Sequence, residues 1–169
     1  MATALQGNPV ALKDQLIAVG SSLPDYRLTR RDLSQATPAD HQGTVRIINI
    51  APSLDTGVCA AQLKRFNSEA AALDGVTVMM VTADLPFAQE RFCVAEGVDK
   101  VEVLSDLRDR GFGQRLGLAI ADGPLEGVMA RAILVVGADN LVKYVQLVPE
   151  ITEEPNYEAA IYAAKSELG

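Results

Sequence analysis

The residues best suited to chemistry in this chain are its two cysteines, Cys59 and Cys93. Cys59 lies in a segment whose pattern changes abruptly. An apolar run, Val45 to Ala51, reads as a buried strand. Pro52 then ends strand pairing, because it has no N–H to donate. The turn Ser53-Leu54-Asp55-Thr56 follows, and apolar residues recur at Cys59, Leu63, Phe66, Ala70 and Leu73, the alternating four-three spacing of one helix face. Asp55 or Thr56 suits the N-cap. Cys59 is therefore expected in the first turn of a helix, just past the C-terminal end of a strand.

A free thiol titrates near ~8.5, so about 3% is thiolate at neutral pH. The unpaired N–H groups and positive dipole end of a first helical turn favour the anion. Bringing a thiol to ~6 requires about 3.4 kcal/mol of differential stabilisation, whereas a helix end supplies ~0.3–1 kcal/mol. A cation must contribute the rest. Lys64 and Arg65 are nearest in sequence but lie more than a turn beyond Cys59. The alternative for Cys59 is a half-buried small hydrophobe with no reactivity.

An activated thiolate attacking a peroxide O–O bond needs a donor to orient the peroxide, positive charge at the developing oxyanion and exclusion of bulk water. Thr56, three residues before Cys59, can bring its hydroxyl over the sulfur, and Pro52 can shield it; Thr56 as a plain N-cap is the simpler alternative. The product would be a sulfenic acid, which over-oxidises unless a second thiol captures it. Cys93 is the only candidate in the chain. A bond needs Cβ atoms within about 3.5–4.5 Å, which two intact helices hardly allow, so local unwinding around both cysteines is expected.

Composition narrows the field. The chain has 169 residues, 49% of them apolar and 22% charged, which is globular, and residues 1–169 are expected to form one domain. A net charge of −7 argues against nucleic acid or an anionic membrane as partner. No apolar run is long enough to span a bilayer, and no secretory leader is evident, so a cytoplasmic location is expected. Two cysteines and one histidine are too few for a zinc site. His41 sits in the polar stretch Thr37 to Gly43 and reads as a surface histidine without a catalytic role.

The elements that must position these residues follow from the same patterns. Val10 to Leu16 and Tyr26 to Leu28 read as short strands of an N-terminal hairpin, and Asp32 to Gly43 as a polar connection. Asp74-Gly75 should end the Cys59 helix. Val76 to Thr82 reads as a strand buried on both faces. Asp84 should cap a helix from Leu85 to Glu96 whose apolar stripe is Leu85, Ala88, Phe92 and Ala95, with Cys93 at its edge and Gly97 as the stop. A short strand at Val101 to Leu104 and helical spacing over Leu107 to Leu116 follow, the latter weakened by Gly111 and Gly113. Ala130 to Val136 and Val142 to Val148 should pair as a hairpin across Gly137 to Asn140, and Tyr157 to Leu168 should form the last helix. The fold class is α/β: a central mixed β-sheet flanked by helices with an N-terminal β-hairpin, the thioredoxin-like arrangement.

PSLDTGVC followed by AAQLKRFN, then ADLPFAQERFC, then ADGPLEGVMARA resembles the bacterial thiol peroxidases, which are atypical two-cysteine peroxiredoxins. GNPVALK near the N-terminus and QLVPEITEEPNY near the C-terminus extend the resemblance over nearly the whole chain. The Pro-x-x-x-Thr-x-x-Cys pattern marks a peroxiredoxin, and the cysteine within PFAQERFC narrows it to this branch. The resemblance implies that Cys59 is the peroxidatic cysteine, with Thr56 and Pro52 as its motif partners. It implies that Arg131, which the residues alone would leave as a solvated charge, stabilises the thiolate, and that Cys93 resolves the sulfenic acid as an intrachain disulfide. It further implies a hydroperoxide substrate, thioredoxin as reductant, a homodimer and no metal or organic cofactor. The one departure is Asp14, which stands where a glycine is expected. A rival from another class is a non-catalytic redox sensor that uses the same disulfide to switch a protein partner. A general disulfide oxidoreductase is disfavoured, since the chain has no Cys-x-x-Cys.

Overall fold

The computed structural model describes residues 2–70 and 72–169. Its centre is a mixed seven-stranded sheet of order β4-β3-β7-β6-β5-β8-β9. The strands are β3 (Leu28–Arg30), β4 (Gln35–Ala36), β5 (Val45–Ile50), β6 (Val76–Thr82), β7 (Glu102–Ser105), β8 (Ala132–Val136) and β9 (Val142–Leu147). β5, β6 and β7 are parallel. They are joined through α1 (Gly57–Ala70) and α2 (Pro86–Glu96), as parallel neighbours require. β8 returns antiparallel beside β5 and forms the expected hairpin with β9.

Successive β5 residues serve opposite faces and all six are buried, Arg46 and Asn49 included. Ile48 and Ile50 join Met79, Val81, Leu134 and Phe112 on one side. Ile47 joins Met80, Val135, Leu63 and Phe66 on the other, where α1, α2 and the last helix α4 (Tyr157–Ser166) pack. Both cysteines belong to this second face.

Several elements differ from the sequence reading. The N-terminal hairpin exists, but it is β1 (Thr3–Leu5) against β2 (Asn8–Val10). Its two-residue turn places Gln6 and Gly7 at φ 50° and 80°, both left-handed as a tight hairpin turn demands. The Glu150 carboxylate accepts both turn N–H groups, Gln6 at 2.9 Å and Gly7 at 3.0 Å. These two bonds hold its carboxyl down at about 2. Val10 to Leu16 is not a strand; Leu12 makes a single bridge to Ile120. Asp14 lies in a bend outside the hairpin and outside the left-handed region, so nothing there demands glycine. The connection from Asp32 to Gly43 contains β4 and a 3-10 turn, Pro38–His41. α3 (Gly111–Arg115) is a short remnant of the longer helix expected.

Helix α2 is rotated relative to expectation. Its inward residues are Pro86, Gln89 and Cys93, while Leu85 and Ala95 are exposed. Its N-cap is Leu85 rather than Asp84, because the Asp84 carboxylate is occupied elsewhere, as described below. Gly97 ends the helix at φ 67° as expected.

His41 is buried at 4% exposure, not on the surface. Its Nδ1 is 2.6 Å from the Tyr26 hydroxyl and its Nε2 is 2.7 Å from Glu102 Oε2. Burial pulls the Glu102 carboxyl up, but His41 and Arg30 outweigh it and hold it below the ordinary range. The ring is therefore a satisfied structural group joining the 3-10 turn to β7.

Asp106, just past β7, is 3% exposed. Burial pushes its carboxyl up from 3.8 to about 6, against the opposing pull of Arg110. A raised carboxyl contributes most when protonated, so this contribution is full below the unfolded value and is lost as pH rises through about 6. Asp106→Asn is accordingly expected to raise the urea midpoint at neutral pH and to leave it unchanged near pH ~4. Paired urea titrations at the two pH values check this; a gain independent of pH would show that the Asp106 charge is not responsible.

Candidate active site

The site is built where β5 gives way to α1. The Ala51 N–H still donates to Val81 O at 3.2 Å, and Pro52, buried, ends the pairing. The loop that follows is clamped from the end of β6. The Asp84 carboxylate accepts from Ser53 Oγ at 2.6 Å, from the Leu54 N–H at 2.7 Å and from Thr82 Oγ1 at 2.6 Å. This anchored loop delivers Thr56 as the helix cap: its Oγ1 accepts from the Cys59 N–H at 3.2 Å. Cys59 is thus the third residue of α1, and its side chain is fully buried.

Arg131 reaches the same point from the neighbouring strand. The register pairs Ile50 with Ala132, so Arg131, one residue earlier, stands beside the end of β5. Its guanidinium, 1% exposed, is held on three sides. Nε donates to Ile151 O at 2.9 Å, Nη1 to Gln62 Oε1 at 2.7 Å, and Nη2 to Cys59 Sγ at 3.1 Å. Among the described residues no carboxylate lies within ion-pair distance of Arg131. A buried guanidinium without a counter-ion is costly. Of the groups it donates to, only the Cys59 sulfur can become an anion. The guanidinium and the first-turn N–H groups of α1 thus both present positive charge to the Cys59 sulfur.

Two further residues hold this geometry and were not picked out from sequence. Gln62, 0% exposed, receives Arg131 and donates to Asn49 Oδ1 at 3.4 Å. Asn49 in turn donates to Met79 O at 3.0 Å. The available signal was polarity out of place: Asn49 interrupts the apolar run of β5, and Gln62 stands one turn from Cys59. Lys64 and Arg65, the nearest cations in sequence, are turned away to Glu96 at 2.7 Å and to Glu69 at 2.9 Å.

Cys93 lies in the last turns of α2, 2% exposed, and neither cysteine is disulfide-bonded. Burial pushes its thiol up, and Arg31 opposes that. Thr56, Cys59 and Arg131 are thus gathered at one point, with Pro52 buried at the end of β5 where the loop to them begins, while Cys93 sits on a separate helix of the same sheet face. Among the described residues no group of three or more His, Cys, Asp or Glu side chains is placed to hold a metal.

Comparison with known proteins agrees with this geometry. The Redoxin family model matches residues 18–161. A thiol peroxidase of Leptospira interrogans is 46% identical over 166 residues, covering 97% of each chain. A thiol peroxidase of Mycobacterium tuberculosis is 50% identical over 159 residues, covering 94% of this chain and 95% of the relative. The crystal structure of a peroxiredoxin-like protein from Aquifex aeolicus superposes with a TM-score of 0.93 at 41% identity, covering 98% of this chain and 96% of that one. With its thioredoxin-like sheet and a cysteine at the head of α1, the chain belongs to the Redoxin family, as a thiol-dependent peroxidase of the bacterial thiol peroxidase group.

Proposed function

We propose that the chain reduces hydrogen peroxide and alkyl hydroperoxides through a Cys59–Cys93 disulfide cycle recycled by thioredoxin. The observation that carries this reading is the 3.1 Å contact from Arg131 to Cys59 Sγ at the head of α1. The Cys59 thiolate attacks the terminal peroxide oxygen. The O–O bond breaks, the leaving alkoxide or hydroxide takes a proton, and Cys59 becomes a sulfenic acid. Arg131 faces both the thiolate and the charge that develops on oxygen. Thr56 and Pro52 orient the peroxide and exclude water. Cys59 is fully buried, so the first turn of α1 or its clamped loop must shift to admit substrate.

Cys93 then attacks the Cys59 sulfenic sulfur, forming the disulfide and releasing water. Its helix is suited to the local unwinding this needs. The residues after it, Val94 to Gly97, are all exposed, so opening the last turn gives up little burial. It breaks the bonds from the Gly97 and Val98 N–H groups to Cys93 O. Thioredoxin dithiol reduces the disulfide. We take residues 1–169 as one domain acting in the cytoplasm as a homodimer, without metal or organic cofactor. We expect no nucleic-acid or membrane partner, and among the described residues no helix is long and apolar enough to cross a membrane.

Cys93→Ser tests the reading. One turnover should survive, with Cys59 accumulating as a dimedone-trappable sulfenic acid, while steady-state turnover with thioredoxin is lost. Normal cycling of this variant would remove Cys93 from the mechanism.

A further inference from the structure

We propose that Asp84 is the positioning residue shared by the two elements that must open before Cys59 and Cys93 can join: its carboxylate holds the Cys59 loop directly and the Cys93 helix through Thr82 and Gln89. This rests on the reading of Cys93 as the resolving thiol. A disulfide needs Cβ atoms within about 3.5–4.5 Å. The two cysteines are buried, unbonded and on separate helices. Both the loop ahead of α1 and the turns around Cys93 must therefore leave their present places.

On the loop side, the Asp84 carboxylate accepts from Ser53 Oγ and from the Leu54 N–H. On the helix side, it accepts from Thr82 Oγ1 at 2.6 Å, and that oxygen in turn accepts from Gln89 Nε2 at 3.0 Å. Gln89 also donates to Leu104 O at 2.8 Å. It is 0% exposed and stands one helical turn before Cys93, on the same inward face of α2. Opening the last turn of α2 frees the chain on one side of Cys93 only; Gln89 fixes the other side.

The direction of these bonds requires a carboxylate. Thr82 Oγ1 gives its one proton to Asp84, and it accepts from Gln89 Nε2 and from the Asp84 N–H at 3.2 Å. Donors from Ser53, Leu54 and Thr82 converge on the two carboxylate oxygens, and a side-chain amide could not receive them all. Among the described residues no Lys, Arg or His lies within ion-pair distance of Asp84, so neutral donors alone hold its charge. Ser105 Oγ donates to Asp84 O at 2.6 Å, which fixes the residue to the end of β7.

In the closed arrangement Thr56 caps the Cys59 N–H and Arg131 meets Sγ, and peroxide reacts there. The disulfide forms from the opened arrangement. Cys93 sulfur bonds to Cys59 sulfur as the S–O bond breaks, and hydroxide leaves with the Cys93 proton as water, the hydroperoxide already consumed being the oxidant. A step taken from a minor arrangement runs in proportion to that arrangement's population. Asp84 therefore supports the first step and restrains the second.

The test is rapid-quench mass spectrometry after one addition of hydrogen peroxide, with sulfenic acid at Cys59 and the disulfide read in the same samples. Asp84→Asn is expected to speed disulfide formation about tenfold, the order set by losing one charge-assisted hydrogen bond from the closed arrangement, with sulfenic acid formation no faster than in wild type. Under excess peroxide less Cys59 should pass on to sulfinic acid, because the disulfide captures it sooner. Ser53→Ala frees the loop alone and Gln89→Leu the helix alone; each is expected to speed the disulfide step by about threefold. Lys64→Met, which breaks the exposed 2.7 Å ion pair to Glu96 between the same two helices, should leave that step within about twofold of wild type. Disulfide formation unchanged or slowed in Asp84→Asn, or in both one-sided variants where Asp84→Asn does not fold, overturns the proposal, as does an equal acceleration in Lys64→Met. If wild-type protein forms no Cys59–Cys93 disulfide at all, the reading of Cys93 falls and Asp84 with it, an outcome distinct from a disulfide formed at an unchanged rate.

Discussion

Replacing Arg131 with methionine is expected to slow the reaction of Cys59 with peroxide by about 10²–10³-fold, the range seen when a preorganised donor to a developing anion is removed. Two effects combine. The guanidinium donates to Cys59 Sγ at 3.1 Å, so its loss removes the positive charge beside the attacking sulfur. The same charge faces the oxygen that departs, so its loss also raises the barrier. The fold should tolerate the change with a measurable loss, because Gln62 Oε1 and Ile151 O lose a donor in a buried site and each unsatisfied group costs about 1–3 kcal/mol. Stopped-flow peroxide consumption, with circular dichroism as the check on folding, makes the measurement. A loss under about threefold at neutral pH would separate Arg131 from the chemistry.

Cys59→Ser is expected to abolish turnover. A serine hydroxyl at this position has the same geometry and the same donor in Arg131, yet it is not ionised at neutral pH and is a poor nucleophile toward an O–O bond. Cys93 cannot substitute, since it is buried on another helix and Arg131 is fully engaged at the first site. Peroxide consumption in the complete thioredoxin system should fall to the rate without protein. Turnover persisting at even a few per cent of wild type would mean that Cys93 is itself the peroxide-reactive thiol.

The strand-turn-helix around Cys59 was legible because the apolar period switches within a few residues, from a continuous run to helical spacing, and because Pro52 and Thr56 punctuate the change. Arg131 was not legible from periodicity: its role depends on β8 lying beside β5, a pairing between segments distant in the chain. Only the resemblance pointed to it. Gln62 and Asn49 escaped notice because a polar residue inside an apolar pattern reads as noise until its partner is seen. His41 reads as a surface group for a different reason. Its neighbours in sequence are polar, but its partners Tyr26 and Glu102 come from other elements and draw it inward. The apolar period of Leu85, Ala88, Phe92 and Ala95 points the wrong face of α2 inward, because Gln89 turns to the core to donate to Thr82 Oγ1 and Leu104 O, leaving Leu85 and Ala95 exposed.

The central claim is that oxidation at Cys59 ends in a bond to Cys93 within one chain. The most direct measurement is the intact mass of the protein after about one equivalent of hydrogen peroxide, before and after reduction, with peptide mapping of the product. The account predicts a monomer lighter by two hydrogens, a single cross-link joining the Cys59 and Cys93 peptides, and full reversal by reductant. A monomer that gains oxygen while Cys93 remains free to alkylate, or a disulfide joining two chains, would contradict it.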